Sequence, residues 1–112
     1  MDERDKVSLW VKFPVEGWGT IEDLGFRHRL EDALTELLER HQLGTWQGSG
    51  QGGGQQDVSY SVPTARLEAA WDLVRAKLTE LGVLQRATVE VYRHDDEGPP
   101  QQLWPYRNLP QP

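Results

Sequence analysis

The segment Gly44–Asp57, GTWQGSGQGGGQQD, decides which fold the chain adopts, because it joins a predicted helix to a predicted strand. It holds six of the chain's eleven glycines. Trp46 alternates with Thr45 and Gln47, and an aromatic side chain suits the pleated face of a strand. If residues 44–50 form a strand, they build a hairpin with the strand that follows, whereas a disordered linker would leave two separate halves. The segment follows the end of a predicted helix and precedes an alternating strand, and this position favours the hairpin.

The same glycines also match a nucleotide-binding spacing. Gly48, Gly50 and Gly53 spell Gly-x-Gly-x-x-Gly, which in dinucleotide sites leads from a strand into a helix N-terminus. Here the spacing is followed by an alternating strand pattern, and no Lys or Arg occurs between positions 40 and 66. The context that a phosphate site needs is therefore missing.

Outside this segment, apolar residues alternate in three strand-like runs and recur every three or four residues in two helix-like runs. The residues predicted to face the core are Val7, Leu9, Val11 and Phe13 in the first strand; Phe26, Leu30, Ala33, Leu34, Leu37 and Leu38 in the first helix; Val58, Tyr60 and Val62 in the strand after the glycines; Leu67, Ala70, Trp71, Val74, Leu78 and Leu81 in the second helix; and Ala87, Val89 and Val91 in the last strand. Gly44 is predicted to end the first helix and Gly82 the second.

With the hairpin included, the order is β-α-β-β-α-β, the ferredoxin-like arrangement. The prediction is an α+β fold: a four-stranded antiparallel sheet, with two helices on one face, as a single domain over residues 1–97. Residues 98–112 form a proline-rich tail, which is predicted to be neither a helix nor a central strand.

The amino-acid composition narrows the range of possible functions and partners. At 112 residues the chain is predicted to be one domain. Twelve basic and 18 acidic residues give a net charge of −6, which disfavours nucleic acid and favours a partner with a basic surface. Cysteine is absent, no apolar run is long enough to span a membrane, and the charged N-terminus lacks a secretory leader. We therefore predict a cytoplasmic location, no membrane partner, no metal and no cofactor.

The sheet face away from the helices holds the first group of candidate binding residues. Alternation puts Trp10 and Lys12 on this face from the first strand and Glu90 and Tyr92 from the last. First and last strands are neighbours in a ferredoxin-like sheet, so Trp10 and Tyr92 are predicted to lie side by side. An exposed aromatic pair is expected to be buried by another surface. Three surfaces are open: a second subunit, a different protein or the chain's own tail.

The tail and the glycine-rich strand supply the other candidates. Trp104 and Tyr106 make the tail a docking segment or a ligand for a partner's groove. Gly48 and Gly50 lie on a predicted edge strand with little side-chain shielding, to which another chain can add a strand. The partner-binding residues predicted from the sequence are Trp10, Lys12, Tyr92, Glu90, Trp104, Tyr106, Gly48 and Gly50.

The runs HRLEDALTELLERHQLG (28–44), TWQGSGQGGGQQDVSYSV (45–62) and ATVEVYR (87–93) together resemble small bacterial ferredoxin-like proteins of unassigned function. Some proteins of this build are immunity proteins, which bind and neutralise a cognate toxin. The resemblance covers about residues 7–93 and brings no catalytic or ligand-binding residues with it. It implies a protein partner, and the net charge of the chain favours one with a basic surface.

Three functions remain open from the sequence. The first is a non-catalytic protein-binding module, in particular an immunity-type inhibitor of a toxin. The second is a small-molecule-binding or regulatory domain, acting as a homodimer, with its ligand at Trp10 and Tyr92. The third is an enzyme that uses Glu90 and His94 as acid and base. We favour the first, because no catalytic motif is present.

Overall fold

The computed structural model describes residues 6–15, 21–52, 54–93 and 100–105, and shows an α+β fold with two helices and one antiparallel sheet. Its elements are β1 (Lys6–Pro14), α1 (Ile21–Arg40), β2 (Thr45–Gly52), β3 (Gln55–Pro63), α2 (Leu67–Glu80), β4 (Thr88–Arg93) and β5 (Gln101–Trp104). Short 3₁₀ turns, Thr64–Arg66 and Leu84–Arg86, precede α2 and β4. Neither helix, within the described residues, is long and apolar enough to cross a membrane.

The sheet has five strands in the order β2-β3-β1-β4-β5, so the predicted count of four is wrong. The added strand, β5, comes from the proline-rich tail and pairs antiparallel with β4. It was missed because four residues between prolines are too short to show an alternating pattern. β5 is an edge strand, where a neighbouring proline is tolerated because one side of the strand needs no backbone donors.

Both helices pack on one face of the sheet, and the core lies between these two layers. Inward residues predicted for the strands are buried, among them Leu9, Tyr60 and Val89, each with 0% exposure. Leu81, predicted to be buried with α2, is 45% exposed. It lies one residue beyond the last helical turn, and the chain turns at Gly82 to bury Val83 instead.

The two helices end in the same way but with different residues. Gly82 has a φ of 73°, and the amide of Val83 donates to the carbonyl of Leu78, which confirms the glycine C-cap predicted for α2. In α1 the left-handed residue is Gln42, with a φ of 57°, rather than a glycine. Gly44 is buried against β3 instead: a Cβ there would lie 3.2 Å from the Ser61 carbonyl oxygen. Its lack of a side chain serves close packing.

The glycine-rich segment forms the predicted hairpin, with β2 and β3 paired antiparallel from Thr45 opposite Ser61 to Gly52 opposite Gln55. The turn includes Gly54, whose φ of 81° favours glycine. The register shifts between Trp46 and Gly48, which marks a β-bulge. β2 is therefore an irregular strand at one edge of the sheet, and β5 lies at the other.

Candidate functional site

The sheet face opposite the helices, called the open face here, is where the sequence places most candidate binding residues. Its side chains form rows across the strands. The first row consists of Gly48, Ser59, Trp10 and Glu90, and the second of Gly50, Asp57, Lys12 and Thr88. In the first row, Gly48 on β2 has no side chain and Ser59 on β3 is buried, while the large side chains lie on β1 and β4.

The candidates on β1 and β4 form one connected network, as the predicted strand neighbours require. The rings of Trp10 and Tyr92 meet edge to face, with centroids 5.6 Å apart. Lys12 forms a salt bridge with Glu90 and donates a hydrogen bond to the Tyr92 hydroxyl oxygen at 3.2 Å. Its Nζ also lies 5.4 Å from the centre of the Tyr92 ring. The polar groups of Lys12, Glu90 and Tyr92 therefore satisfy one another.

This network holds Lys12 in its charged form. Burial lowers the pKa of Lys12, but the hydrogen bonds from Lys12 to Glu90 and Tyr92, with the Glu90 charge, outweigh burial and raise the pKa above 10.5. Only 19% of the Lys12 side chain and 17% of the Glu90 side chain are exposed, so each ion depends on the other. Removing one partner leaves the other charge half-buried and unpaired.

We expect Lys12→Met to lower the free energy of unfolding by about 1–2 kcal/mol, because it leaves the Glu90 carboxylate without its partner. Glu90→Gln is expected to cost a similar amount. The double variant Lys12→Met/Glu90→Gln should regain part of the loss, since no unpaired charge remains. Urea denaturation of the four proteins measures this coupling. Purely additive losses would show that the two side chains do not act as a pair.

The pH dependence of this pair has a definite sign. Because the pKa of Lys12 is higher in the folded state, protonated Lys12 contributes its full stabilisation below the unfolded pKa of 10.5. This contribution is lost as the pH rises through the pKa of the folded state. The stability difference between the wild type and Lys12→Met should therefore stay constant from pH 7 to about pH 9.

Trp104, the candidate from the described part of the tail, does not join this network. Trp104 is half-buried in β5, at the sheet edge away from β2. Its Nε1 donates a hydrogen bond to the Leu84 carbonyl oxygen at 2.9 Å. Its side chain packs against the core, so it is engaged by its own chain. Tyr106 and His94 lie outside the described residues. The described part of the tail extends the sheet beside β4.

Gly48 and Gly50 lie on the open-face side of the β2 edge, opposite Ser59 and Asp57. A Cβ added at Gly48 would come no closer than 4.0 Å to the Ser59 Oγ, and one at Gly50 would meet Asp57 Oδ1 at 3.5 Å. Neither glycine is required by a tight contact. Unlike Gly44, both positions can accept a side chain without disturbing the fold.

The other side of the β2 edge carries a site that the sequence analysis missed. Trp46, the most exposed large apolar residue described at 48%, lies beside α1 and donates its Nε1 hydrogen to the Glu31 carboxylate at 3.1 Å. An open groove of about 590 Å³ lies here. Its lining, called the acidic groove below, is Glu31, Asp32, Thr35, Glu36, Glu39 and Trp46. The missed signal was the helical spacing of Asp32, Glu36 and Glu39.

A buried tyrosine, Tyr60, holds two lining residues of the acidic groove in position. The Tyr60 hydroxyl donates to the Glu31 carbonyl oxygen at 3.1 Å and lies 3.0 Å from Thr35 Oγ1. Burial raises the pKa of Tyr60 well above its ordinary value, so the hydroxyl keeps its proton and remains a donor. The middle of α1 is thereby held against β3, and the groove's position relative to β2 follows from core packing.

These surfaces present aromatic rings and charged side chains to solvent. In the described part of the chain, no group of three or more His, Asp or Glu side chains is placed to hold a metal ion. Glu90, a predicted acid or base, is occupied by Lys12 and also accepts from the Tyr92 hydroxyl at 3.4 Å. Comparison with family models, curated proteins and solved structures returns no match for this chain.

Proposed function

We propose that the chain is a non-catalytic, ferredoxin-like protein-binding module, of the immunity type that neutralises a toxin, and that it binds a partner with a basic surface. Strands β2, β3, β1 and β4 are adjacent in that order, with both helices on one face. This order supports a ferredoxin-like plan to which β5 adds one strand.

The observation that carries the proposal is the β2 edge. β2 ends the strand order, and no described strand lies beyond it. In any antiparallel edge strand, alternate backbone N–H and C=O groups point away from the sheet, where a partner strand can bond them. Gly48 and Gly50 place no side chain beside this edge, so a partner backbone can approach closely.

Charge supports a basic partner. The chain has a net charge of −6, and four of its carboxylates line the acidic groove next to the β2 edge. Complementary charge speeds association and selects against acidic partners. The open-face network contributes less, because its carboxylate, Glu90, is already paired with Lys12.

A binding assay with an edge variant tests the proposal. The immobilised chain is expected to retain one stoichiometric basic protein from lysate of its own cells, and to release it at high salt. Gly48→Lys/Gly50→Lys should weaken that binding at least tenfold, because lysines repel a basic partner and block strand addition, as they do on natural edge strands. Binding by this variant is measured by titration with the purified partner.

The matched control is Ala69→Lys/Ala76→Lys, which adds the same charge on the exposed side of α2. We expect this variant to bind nearly as the wild type does, and both variants to unfold within about 2 °C of it. Equal weakening by both variants would make total charge responsible rather than the edge. Unchanged binding by the edge variant would exclude β2 as the site.

The open face favours a second candidate, a small-molecule-binding or regulatory domain that acts as a dimer. The half-buried Trp10 lies on the open face beside Ser59 and Gly48, which add little side-chain bulk, and a flat ligand can stack on the exposed part of its ring. Thermal-shift screening separates the two candidates. A ligand whose stabilising effect disappears in Trp10→Ala supports this second function, and a response that survives the substitution argues against it.

A further inference from the structure

The acidic groove and the β2 edge lie side by side, and their arrangement specifies the partner more closely. Trp46 belongs to β2 itself and is paired with Tyr60, so it points to the helix side of the sheet. The remaining groove residues are on α1. The edge and the groove therefore form one continuous surface.

A strand added to β2 would present its side chains alternately to the two faces of the sheet. One set would continue the open face beside Gly48 and Gly50. The other set would enter the acidic groove, next to the Trp46 ring and the carboxylates of α1. The residues of β2 on this side after the bulge, Ser49 and Gln51, pair with Val58 and Gln56 and are shorter than Trp46.

The groove chemistry selects long basic side chains. Asp32, Glu36 and Glu39 are exposed, and Glu36 alone among these three has a described ion pair, with Arg40. They are spread along α1 rather than converging on a point, and no metal-holding group occurs among the described residues. A Lys or Arg stem can pack on the Trp46 ring while its charge reaches these carboxylates.

We propose that the β2 edge and the acidic groove together bind an extended segment of the partner that carries Lys or Arg at every second position. This inference rests on the proposed function and specifies its partner. A second copy of the chain is the competing occupant, and charge disfavours it. Pairing β2 with its own copy would bring two acidic grooves together, with like charges repelling across the joint.

The test uses a capped nine-residue peptide that alternates lysine with threonine, titrated into the full chain and followed by tryptophan fluorescence. We expect a Kd of tens of micromolar at low salt, at least fivefold tighter than for a peptide of the same composition with its lysines in one block. Amide hydrogen exchange should slow in β2 when the alternating peptide binds. The absence of binding, or unchanged exchange in β2, would overturn the inference.

Two charge-matched variants locate the contact. Asp32→Asn/Glu36→Gln/Glu39→Gln removes three charges from the groove and is expected to weaken peptide binding at least fivefold. The control, Glu68→Gln/Asp72→Asn/Glu80→Gln, removes three exposed charges from α2 and should bind as the wild type does. Equal binding by the groove variant and the wild type, or an equal loss in the control, would overturn the inference.

The outcomes also separate this inference from the proposed function. If the groove variant binds the purified partner normally while Gly48→Lys/Gly50→Lys does not, the edge function stands and the basic-segment inference is wrong. If neither variant affects the partner, both proposals fail. Self-association of the chain through β2, seen by sedimentation at about 100 μM and abolished by Gly48→Lys/Gly50→Lys, would assign the edge to a second copy and overturn the inference.

Discussion

Replacing Leu34 with alanine is expected to lower the free energy of unfolding by about 3 kcal/mol. Leu34 has 0% exposure and lies in the middle of α1, in the cluster that joins the helices to the sheet. Removing its side chain loses apolar burial and leaves a cavity that the neighbouring strands cannot fill, since backbone pairing fixes their positions. The melting temperature should fall by about 10 °C or more. Urea and thermal denaturation, followed by circular dichroism, measure the loss.

Leu81→Ala is the matched control, because it makes the same chemical change at an exposed position. Leu81 is 45% exposed just beyond α2, so we expect a loss of less than about 1 kcal/mol. A large loss at Leu81 would mean that it is buried in solution. Equal losses at the two positions would contradict the layer arrangement, which places one leucine in the core and the other outside it.

Trp104→Ala is expected to lower the free energy of unfolding by about 2–3 kcal/mol, the second largest effect. Trp104 is the last residue of β5, and it packs against the core while its Nε1 donates to the Leu84 carbonyl oxygen. The substitution removes both interactions and so weakens the attachment of β5 to β4. Faster amide exchange in β4 should accompany the loss, since β4 would become an edge strand.

Trp104→Phe separates the two contributions, because it keeps an aromatic ring but removes the hydrogen-bond donor. We expect it to cost about 1 kcal/mol, less than the alanine variant. Gln101→Ala, at an exposed position in the same strand, should change stability by less than about 0.5 kcal/mol. If Trp104→Ala is as mild as Gln101→Ala, the tail does not stabilise the sheet, and Trp104 becomes available as a partner contact.

The sequence predicted most of the fold and only part of the candidate surface. Alternation in β1 correctly separated buried Leu9 from half-buried Trp10 and Lys12, because the period of a strand is a local property. Neighbouring first and last strands also placed Trp10 beside Tyr92, as observed. The salt bridge of Lys12 with Glu90 was not predicted, because it depends on the register between strands nearly 80 residues apart.

Predictions that depended on packing were less successful. Gly44 was expected to end α1, but Gln42 adopts the left-handed conformation and Gly44 packs tightly against β3. Glycine in a sequence signals conformational freedom and close approach equally well. The acidic groove was missed for a similar reason. Trp46 was used as evidence for a strand, and only the packing of α1 over β2 brings it beside Glu31.

By itself, the sequence determined the elements: two amphipathic helices, a glycine-rich hairpin and alternating strands, because the periods of 3.6 and 2 residues are local. It also determined the net negative charge that favours a basic partner. Only the tertiary structure decided that the tail adds a fifth strand, and that the glycine-rich strand β2 lies at a sheet edge beside four carboxylates of α1. Such neighbours are distant in sequence, and core packing together with strand register brings them together.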